Sequence, residues 1–426
     1  MPFFVYILFG TMLLGVPIVF CLAFSPLVAF TLMDKTIYYK MIVQRLYAGI
    51  NQFPLMAIPF FMLAGQVMNT GGITLNLVRF SNSLVGHLRG GLAHVNIMVS
   101  MLFAGLSGSA VADTSAIGSI MIPAMEKDGY SKEFSAAVTA ASSIIGPIIP
   151  PSIIMVIYAY VMGVSVGGLF AAGIVPGLMV GFLLMLMTYM ISKKRGYPKR
   201  ERASLREVLI SFRNSILPLL TAVIIIGGIL GGVFTPTEAA GVAAGYTIFL
   251  SMVIMRTVKL RDLPNIFLQS AISASVILLI VGTATVFGWL VTTSQLPVRV
   301  GNAIFSITDN PYLLLFIINV ILLITGMFMD ASPAILILGP LLGPAMMKMG
   351  IHPLHFAIIM CVNLTVGLAT PPVGLVLFVA SGLTKLSVER IAREMLPFLA
   401  IEIVMIFVIT YIPMIPMTIP KLLGFY

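Results

Sequence analysis

Apolar runs of about 20 residues, the length a helix needs to span the hydrocarbon of a bilayer, recur along almost the whole of this sequence. That one feature restricts what the chain can fold into. Hydrophobic residues make up 59% of the 426 and charged residues 9%, where a soluble domain carries about a quarter. A water-soluble core is excluded, and no stretch is polar enough to form a separate soluble domain. The runs and their interruptions predict an all-α polytopic membrane protein with about 11 transmembrane helices plus two re-entrant hairpins.

The net charge of +10 sits in short loops and not on one face or stripe. Nucleic-acid binding needs a clustered basic surface, so the excess is read as the bias of cytoplasmic loops toward Lys and Arg. Cys21 and Cys361 lie far apart in apolar runs and read as packing residues, not a disulfide. The run from Phe3 to Phe30 has no basic leader and no small-residue cleavage site. It reads as a retained span, or two short ones because Pro17 and Pro26 interrupt it.

Charge orients the spans. The segment Ser192–Arg213 carries Lys193, Lys194, Arg195, Lys199, Arg200, Arg202, Arg206 and Arg213 against Glu201 and Glu207, and reads as a cytoplasmic loop. A second basic cluster, Arg256, Lys259 and Arg261, follows after the apolar stretch Ile216–Met255, which is long enough for an out-and-back helix pair. At the turn of that pair, Thr235-Pro236-Thr237-Glu238 has the form of a capping box with proline at the first helical position. Capping accounts for Glu238 without invoking an ion. Near the N-terminus the signals conflict. Lys35, Lys40 and Arg45 suggest an inner loop, while counting spans outward from the basic loop suggests an outer one.

The two sides of the basic loop repeat each other. Ser143–Pro151 aligns with Leu364–Pro372, so that Gly146 meets Gly367 and both Pro-Pro pairs coincide. Upstream, Gly105–Asp113 answers Gly326–Asp330 with a small difference in length. Each half therefore has a Gly-rich break ending in aspartate, a short helix, and a span interrupted at Gly…Pro-Pro. Proline removes a backbone donor and clashes with the preceding turn. Lipid supplies no substitute partner, so such breaks persist only where they are buried or line a cavity. Corresponding breaks in two halves point to a transporter site. The stretch Val95–Met125 is predicted to be a hairpin entering from the cytoplasmic side and Tyr312–Met347 one entering from outside, which makes the repeat inverted.

An opened helix exposes carbonyls, which suit a cation such as sodium, and amides, which suit a carboxylate. Asp113 and Asp330 are the carboxylates at the hairpin breaks. An ionisable group within the membrane is a functional hypothesis by default, and each is also read as an N-cap of the helix that follows. His352 and His355 lack a third nearby ligand for zinc, and Glu402, in a late span, reads equally as a proton relay or as a group facing a helix neighbour. No nucleotide-binding loop or nucleophile elbow is present.

At these residues the chain resembles the large membrane subunit of the tripartite ATP-independent periplasmic (TRAP) transporters. The resemblance rests on Gly105–Asp113, Gly146–Ser152, Thr-Pro-Thr-Glu-Ala-Ala at 235–240, Gly326–Asp330 and Gly367–Pro372, taken in this order. It implies a multi-pass protein of the bacterial inner membrane, not an enzyme, that imports an organic acid such as sialic acid or a C4-dicarboxylate with sodium (Na+). It implies two partners, a small four-helix membrane subunit, expected as a separate chain, and a periplasmic substrate-binding protein. It implies an elevator-type fold, with a scaffold and a mobile transport domain built from the hairpins and broken helices. One sodium site would involve Ser107, Asp113, Ser143, Gly146 and Pro150, and a second Gly326, Asp330, Gly367 and Thr370. The solute would lie near Ser109, Ser115, Ser152 and Asp330. The expected organisation is residues 1–53 as N-terminal scaffold span(s) and amphipathic arm, 54–191 as the first repeat, 192–265 as the basic loop and scaffold helix pair, and 266–426 as the second repeat. The competing readings are a stand-alone carboxylate carrier needing no binding protein, an intramembrane aspartyl enzyme and a channel.

Overall fold

The structure is a computed structural model describing residues 3–35, 37–308 and 310–425, with side chains throughout except at 105–107, 304, 305 and 307. Among the described residues there are twenty α-helices and no strand. In chain order they are α1 (Phe3–Leu13), α2 (Ile18–Leu32), α3 (Tyr38–Ile50), α4 (Ala57–Thr70), α5 (Ile73–Val85), α6 (Gly91–Ser107), α7 (Ala110–Lys127), α8 (Lys132–Ser143), α9 (Ile153–Met162) and α10 (Val166–Arg195). There follow α11 (Leu205–Leu230), α12 (Pro236–Phe249), α13 (Leu263–Thr293), α14 (Leu296–Ile307), α15 (Pro311–Phe328), α16 (Ala331–Lys348), α17 (Pro353–Gly367), α18 (Leu375–Thr384), α19 (Val388–Tyr411) and α20 (Met414–Leu422). Eight helical stretches are long and apolar enough to cross a membrane by themselves. Shorter apolar helices, α9, α17 and α18 among them, adjoin the breaks.

Local chemistry starts and stops these helices. Serine hydroxyls accept an amide hydrogen at the starts of α7 (Ser109), α8 (Ser131), α9 (Ser152) and α10 (Ser165). Thr235 and Glu238 form the reciprocal box expected of them, each side chain accepting from the other's backbone amide at α12. The carboxylate of Glu238 is thus occupied by capping. At the N-terminus there are two short helices. Gly15 takes a left-handed φ of 80°, and α2 folds back on α1, where the Ser25 hydroxyl donates to the Phe4 carbonyl at 2.6 Å.

One end of the bundle collects the basic segments. The Gly90 amide donates to the Pro198 carbonyl, Ser83 and Ser211 are hydrogen-bonded at 2.8 Å, and Gly71 abuts Ser251 and Thr257. Arg200 pairs with Asp128 and Arg195 with Glu394, both at 2.8 Å. Five segments remote in sequence therefore share the end that charge assigns to the cytoplasm. The arm α3 packs instead on the far half of α13, where Phe30 and Tyr38 surround Trp289, the Arg45 guanidinium lies 5.6 Å from its ring centre and Gly49 abuts Thr285. This puts residues 35–45 at the end of α13 away from the basic segments, the arrangement that the span count expects. The cations of 35–45 lie opposite the basic loop, because an aromatic-lined amphipathic arm satisfies them at the other surface.

The repeat is visible in the helix boundaries. The offset that pairs Gly146 with Gly367 carries Ala110–Lys127 onto Ala331–Lys348, residue for residue, and Ser131, the cap of α8, onto His352, the cap of α17. The α6/α7 hairpin opens at the basic end, where Asp128 meets Arg200. The α15/α16 hairpin opens at the other end, where the Tyr411 hydroxyl donates to the Tyr312 carbonyl at 2.9 Å. Expected outcome: in intact cells a membrane-impermeant maleimide labels Lys40→Cys, and it labels Lys199→Cys only after the membrane is opened. Labelling of both from one side would refute this arrangement.

Candidate functional site

Each hairpin tip packs against the broken helix of its own half. In the first half, Gly108 sits between α6 and α7 with φ of 61°, and a Cβ there would lie 3.1 Å from both the Pro151 carbonyl and the Ile153 amide nitrogen. Only glycine combines that backbone conformation with that close approach. Ser109 then caps α7, its hydroxyl accepting from the Ala112 amide. Asp113 is therefore not the cap that the sequence suggests. It lies one turn inside α7, fully buried, and a Cβ on Gly146 would collide with its Oδ2. The carboxylate occupies the space that Gly146 leaves beside the end of α8. Next to it, Thr114 Oγ1 is 2.6 Å from Ser143 Oγ. The structure thus brings Asp113, Ser143 and Gly146 together and adds Thr114. Pro150 lies in the same break, although its neighbour Pro151 supplies the carbonyl facing Gly108. The Ser107 side chain falls outside the described residues.

The second half reaches the same closeness through backbone. A Cβ on Gly367 would stand 2.5 Å from Gly326 Cα and 2.9 Å from the Leu323 carbonyl, and one on Gly326 would stand 2.6 Å from the Leu364 carbonyl. The two glycines let α15 and α17 touch main chain to main chain. Gly374, at φ of 59°, donates its amide to the Met327 carbonyl at 3.2 Å, tying the break to the hairpin tip. The Thr370 hydroxyl donates to the Val366 carbonyl at 2.8 Å. Asp330 caps α16, its Oδ2 accepting from the Ser332 amide at 3.2 Å.

These contacts correct the alignment drawn from sequence. At the single offset of the repeat, Asp330 corresponds to Ser109, both being caps, and Gly105 to Gly326 with no difference in length. Asp113 corresponds to Ala334 and has no carboxylate counterpart. The resemblance between two aspartates near two breaks concealed that they occupy different turns.

The tips meet each other. Ser109 and Ala110 of one, Asp330 and Ser332 of the other, line a cavity of about 70 Å³ with Pro147 and Leu368. A larger cavity of about 300 Å³ adjoins it, reaching from Ser109 and Ser115 to Gln66 and Asn69 of α4 and Gln269 and Ser273 of α13. Ser109, Ser115 and Asp330 line one cavity or the other. Ser152 lines neither: it is fully buried, its hydroxyl donating to the Pro147 carbonyl at 2.6 Å and accepting from the Met155 amide. The α4 and α13 residues escaped the sequence reading, which looked for breaks. The available signal was carboxamides inside spanning segments.

Other polar groups have structural occupations. His352 Nδ1 accepts from the Leu354 amide at the cap of α17, and His355 Nε2 bonds the Ile409 carbonyl at 3.0 Å. The described residues contain no cluster of three or more His, Cys, Asp or Glu able to hold a metal. Glu402 is buried inside the bundle, and neither of its oxygens has a hydrogen-bond partner among the described residues.

Comparison with known proteins agrees with this architecture. Residues 5–415 match the family described as tripartite ATP-independent periplasmic transporter, DctM component. The chain is 41% identical to the sialic acid TRAP transporter large permease protein SiaM of Vibrio cholerae, covering 98% of this chain and 97% of that one. It is 43% identical to the C4-dicarboxylate TRAP transporter large permease protein DctM of Pseudomonas aeruginosa, with 89% of each chain covered. A solved structure, the YdaH transporter of Alcanivorax borkumensis, superposes with a TM-score of 0.63 over 88% of each chain at 15% identity, a likeness of fold.

The glycine contact gives a direct test. Gly367→Ala is expected to cost about 1–3 kcal/mol, because rigid backbone on both sides must give way. Gly382→Ala, whose Cβ would meet no atom within 4 Å inside α18, should match the parent or stabilise it by up to about 1 kcal/mol. Melting of the two variants in detergent measures the difference, and equal melting would refute the close contact.

Proposed function

We propose that this chain, which belongs to the DctM family of TRAP transporters, is the large permease subunit of a sodium-coupled importer of an organic acid in a bacterial inner membrane. Sialic acid and a C4-dicarboxylate are the solutes in the names of two relatives. The observation that carries the reading is the meeting of the two hairpin tips around one small cavity, at the depth of Ile277 in the middle of α13.

Sodium is cargo in this reading. The first site would use the Asp113 carboxylate with Ser143, Gly146, Pro150 and Ser107. A buried anion beside hydroxyls offers the hard oxygen ligands a small cation takes. The second site would use carbonyls around Gly326, Gly367 and Thr370, with Asp330 nearby. The solute's carboxylate would lie at the tips, where α7 and α16 present their starting amides. The two hairpins enter from opposite ends, an inverted repeat of the kind that alternates access around a fixed site. The hairpins with α8, α9, α17 and α18 would move as one body past a scaffold that includes α4, α11, α12 and α13. The small membrane subunit and the periplasmic binding protein complete the importer.

Expected outcome: in proteoliposomes holding this chain, its small partner and the binding protein, uptake of labelled sialic acid or succinate requires an inward sodium gradient. Removing a charged hydrogen-bonding group costs about 1.5–3 kcal/mol, so Asp330→Ala should lower uptake roughly tenfold or more. Uptake without sodium would sink the coupling. Uptake by this chain alone would move it to the stand-alone carriers.

A further inference from the structure

The basic end of the bundle carries more than an orientation signal. Both ends of α5 lie there. Gly71, just before it, abuts Ser251 and Thr257, and the Gly90 amide, beyond it, donates to the Pro198 carbonyl at 3.1 Å. The helix has 13 residues, about 20 Å of length, and runs along the membrane surface without crossing the bilayer. One face is buried through Ile73, Leu77 and Phe80, and the other exposes Leu75 and Arg79. That is the form of an interfacial amphipathic helix, which lies at the level of the lipid headgroups.

The start of α11 lies beside it. Ser83 and Ser211 are hydrogen-bonded at 2.8 Å, the Ser215 hydroxyl donates to the Asn76 carbonyl at 3.0 Å, and the rings of Phe80 and Phe212 are centred 5.6 Å apart. Residues 200–203 border the notch between the two helices, a cavity of about 390 Å³ lined by Arg79, Arg200 and Arg202. A second cavity of about 630 Å³ shares Arg200 and Arg202 and adds Arg89 and Lys199. Nearby acids do not neutralise these cations. Glu207 is occupied at the cap of α11, where its carboxylate accepts from the Ser204 amide and hydroxyl. Arg200 pairs with Asp128, but Arg79, Arg89, Lys199 and Arg202 have no ion-pair partner among the described residues. The loop that carries the last two is anchored, because Tyr197 packs on Tyr130 and Phe134 with ring centres at 4.5 and 5.1 Å. Exposed apolar residues adjoin the cations. Leu75, one turn from Arg79 on α5, is 47% exposed, and Ile210, three residues beyond Glu207 on α11, is 51% exposed.

We infer that the two cavities hold the headgroup of an anionic phospholipid of the cytoplasmic leaflet, its phosphate bonded by Arg79 and Arg202 and its acyl chains lying on the exposed apolar residues of α5 and α11. Guanidinium forks match phosphate oxygens and bind them by paired hydrogen bonds, and basic pockets between helices on the cytoplasmic side take such headgroups. A soluble phosphate would satisfy the arginines alone, whereas a lipid also covers Leu75 and Ile210. The bound lipid would tie α5 to the loop whose Arg200 holds Asp128 at the mouth of the first hairpin. Neither the solute nor its coupling ion enters this site.

The test is the melting temperature of the full chain, purified in a non-ionic detergent and stripped of lipid, against added lipid. Phosphatidylglycerol or cardiolipin should raise it saturably, and phosphatidylethanolamine, which has no net charge, should not. Arg79→Gln and Arg202→Gln should each raise the half-saturating lipid concentration about fivefold, the worth of one cation near an anionic surface. Both should melt near the parent without lipid, since these side chains are exposed. Lys193→Gln, which removes a cation of the same end that lines neither cavity, should leave the concentration unchanged. Stabilisation by none of the lipids, or equal stabilisation by phosphatidylethanolamine, overturns the inference. So does an unchanged affinity in both arginine variants, or an equal loss in Lys193→Gln. Equal stabilisation by glycerol phosphate, which has the headgroup without the chains, would make this a site for soluble phosphates and overturn the lipid.

Discussion

Hydrocarbon offers an opened helix no hydrogen-bond partner, and this chain opens its helices in four places: after Ser107, Ser143, Phe328 and Gly367. Each opening is tolerable because another opening is pressed against it. The Gly374 amide reaches the Met327 carbonyl, Gly108 lies against the Pro151 carbonyl, and Ser152 turns back to the Pro147 carbonyl. A hairpin tip and a broken span are thus two halves of one arrangement. Glycine is required where they meet, because a single Cβ would hold the backbones apart. The same closeness brings main-chain and hydroxyl oxygens together at the breaks.

The two halves solve that problem differently. In the second, Gly326 and Gly367 touch directly and the aspartate is moved outward to the cap of α16. In the first, the cap is Ser109 and the carboxylate is drawn one turn inward, into the space left by Gly146. The repeat is therefore strict in backbone and relaxed in chemistry. One break is built around a buried carboxylate and the other around main-chain contact, with a carboxylate at the rim of the shared cavity. Among the described residues, no basic side chain lines either cavity.

Beyond the tips, residues of α4 and α13 bring carboxamides to one side of the larger cavity.

Much of this was legible in the sequence. Apolar run length determined an all-helical membrane protein, and the matched Gly…Pro-Pro pairs marked where its helices break, because Gly and Pro act on the backbone locally and leave a readable trace. The capping box at Thr235 and Glu238 was equally local and equally readable. Other features depended on which segments become neighbours. Lys35, Lys40 and Arg45 are decided by α3 lying against Trp289. The role of Asp113 is decided by the absence of a side chain at Gly146. The place of Gln66, Asn69 and Gln269 along the larger cavity is decided by α4 and α13 facing α7. Sequence determined where the helices must break, since that follows from the bonding of each residue to its own turn. Only the tertiary structure decided which groups fill the breaks, since that depends on distances between segments far apart in the chain.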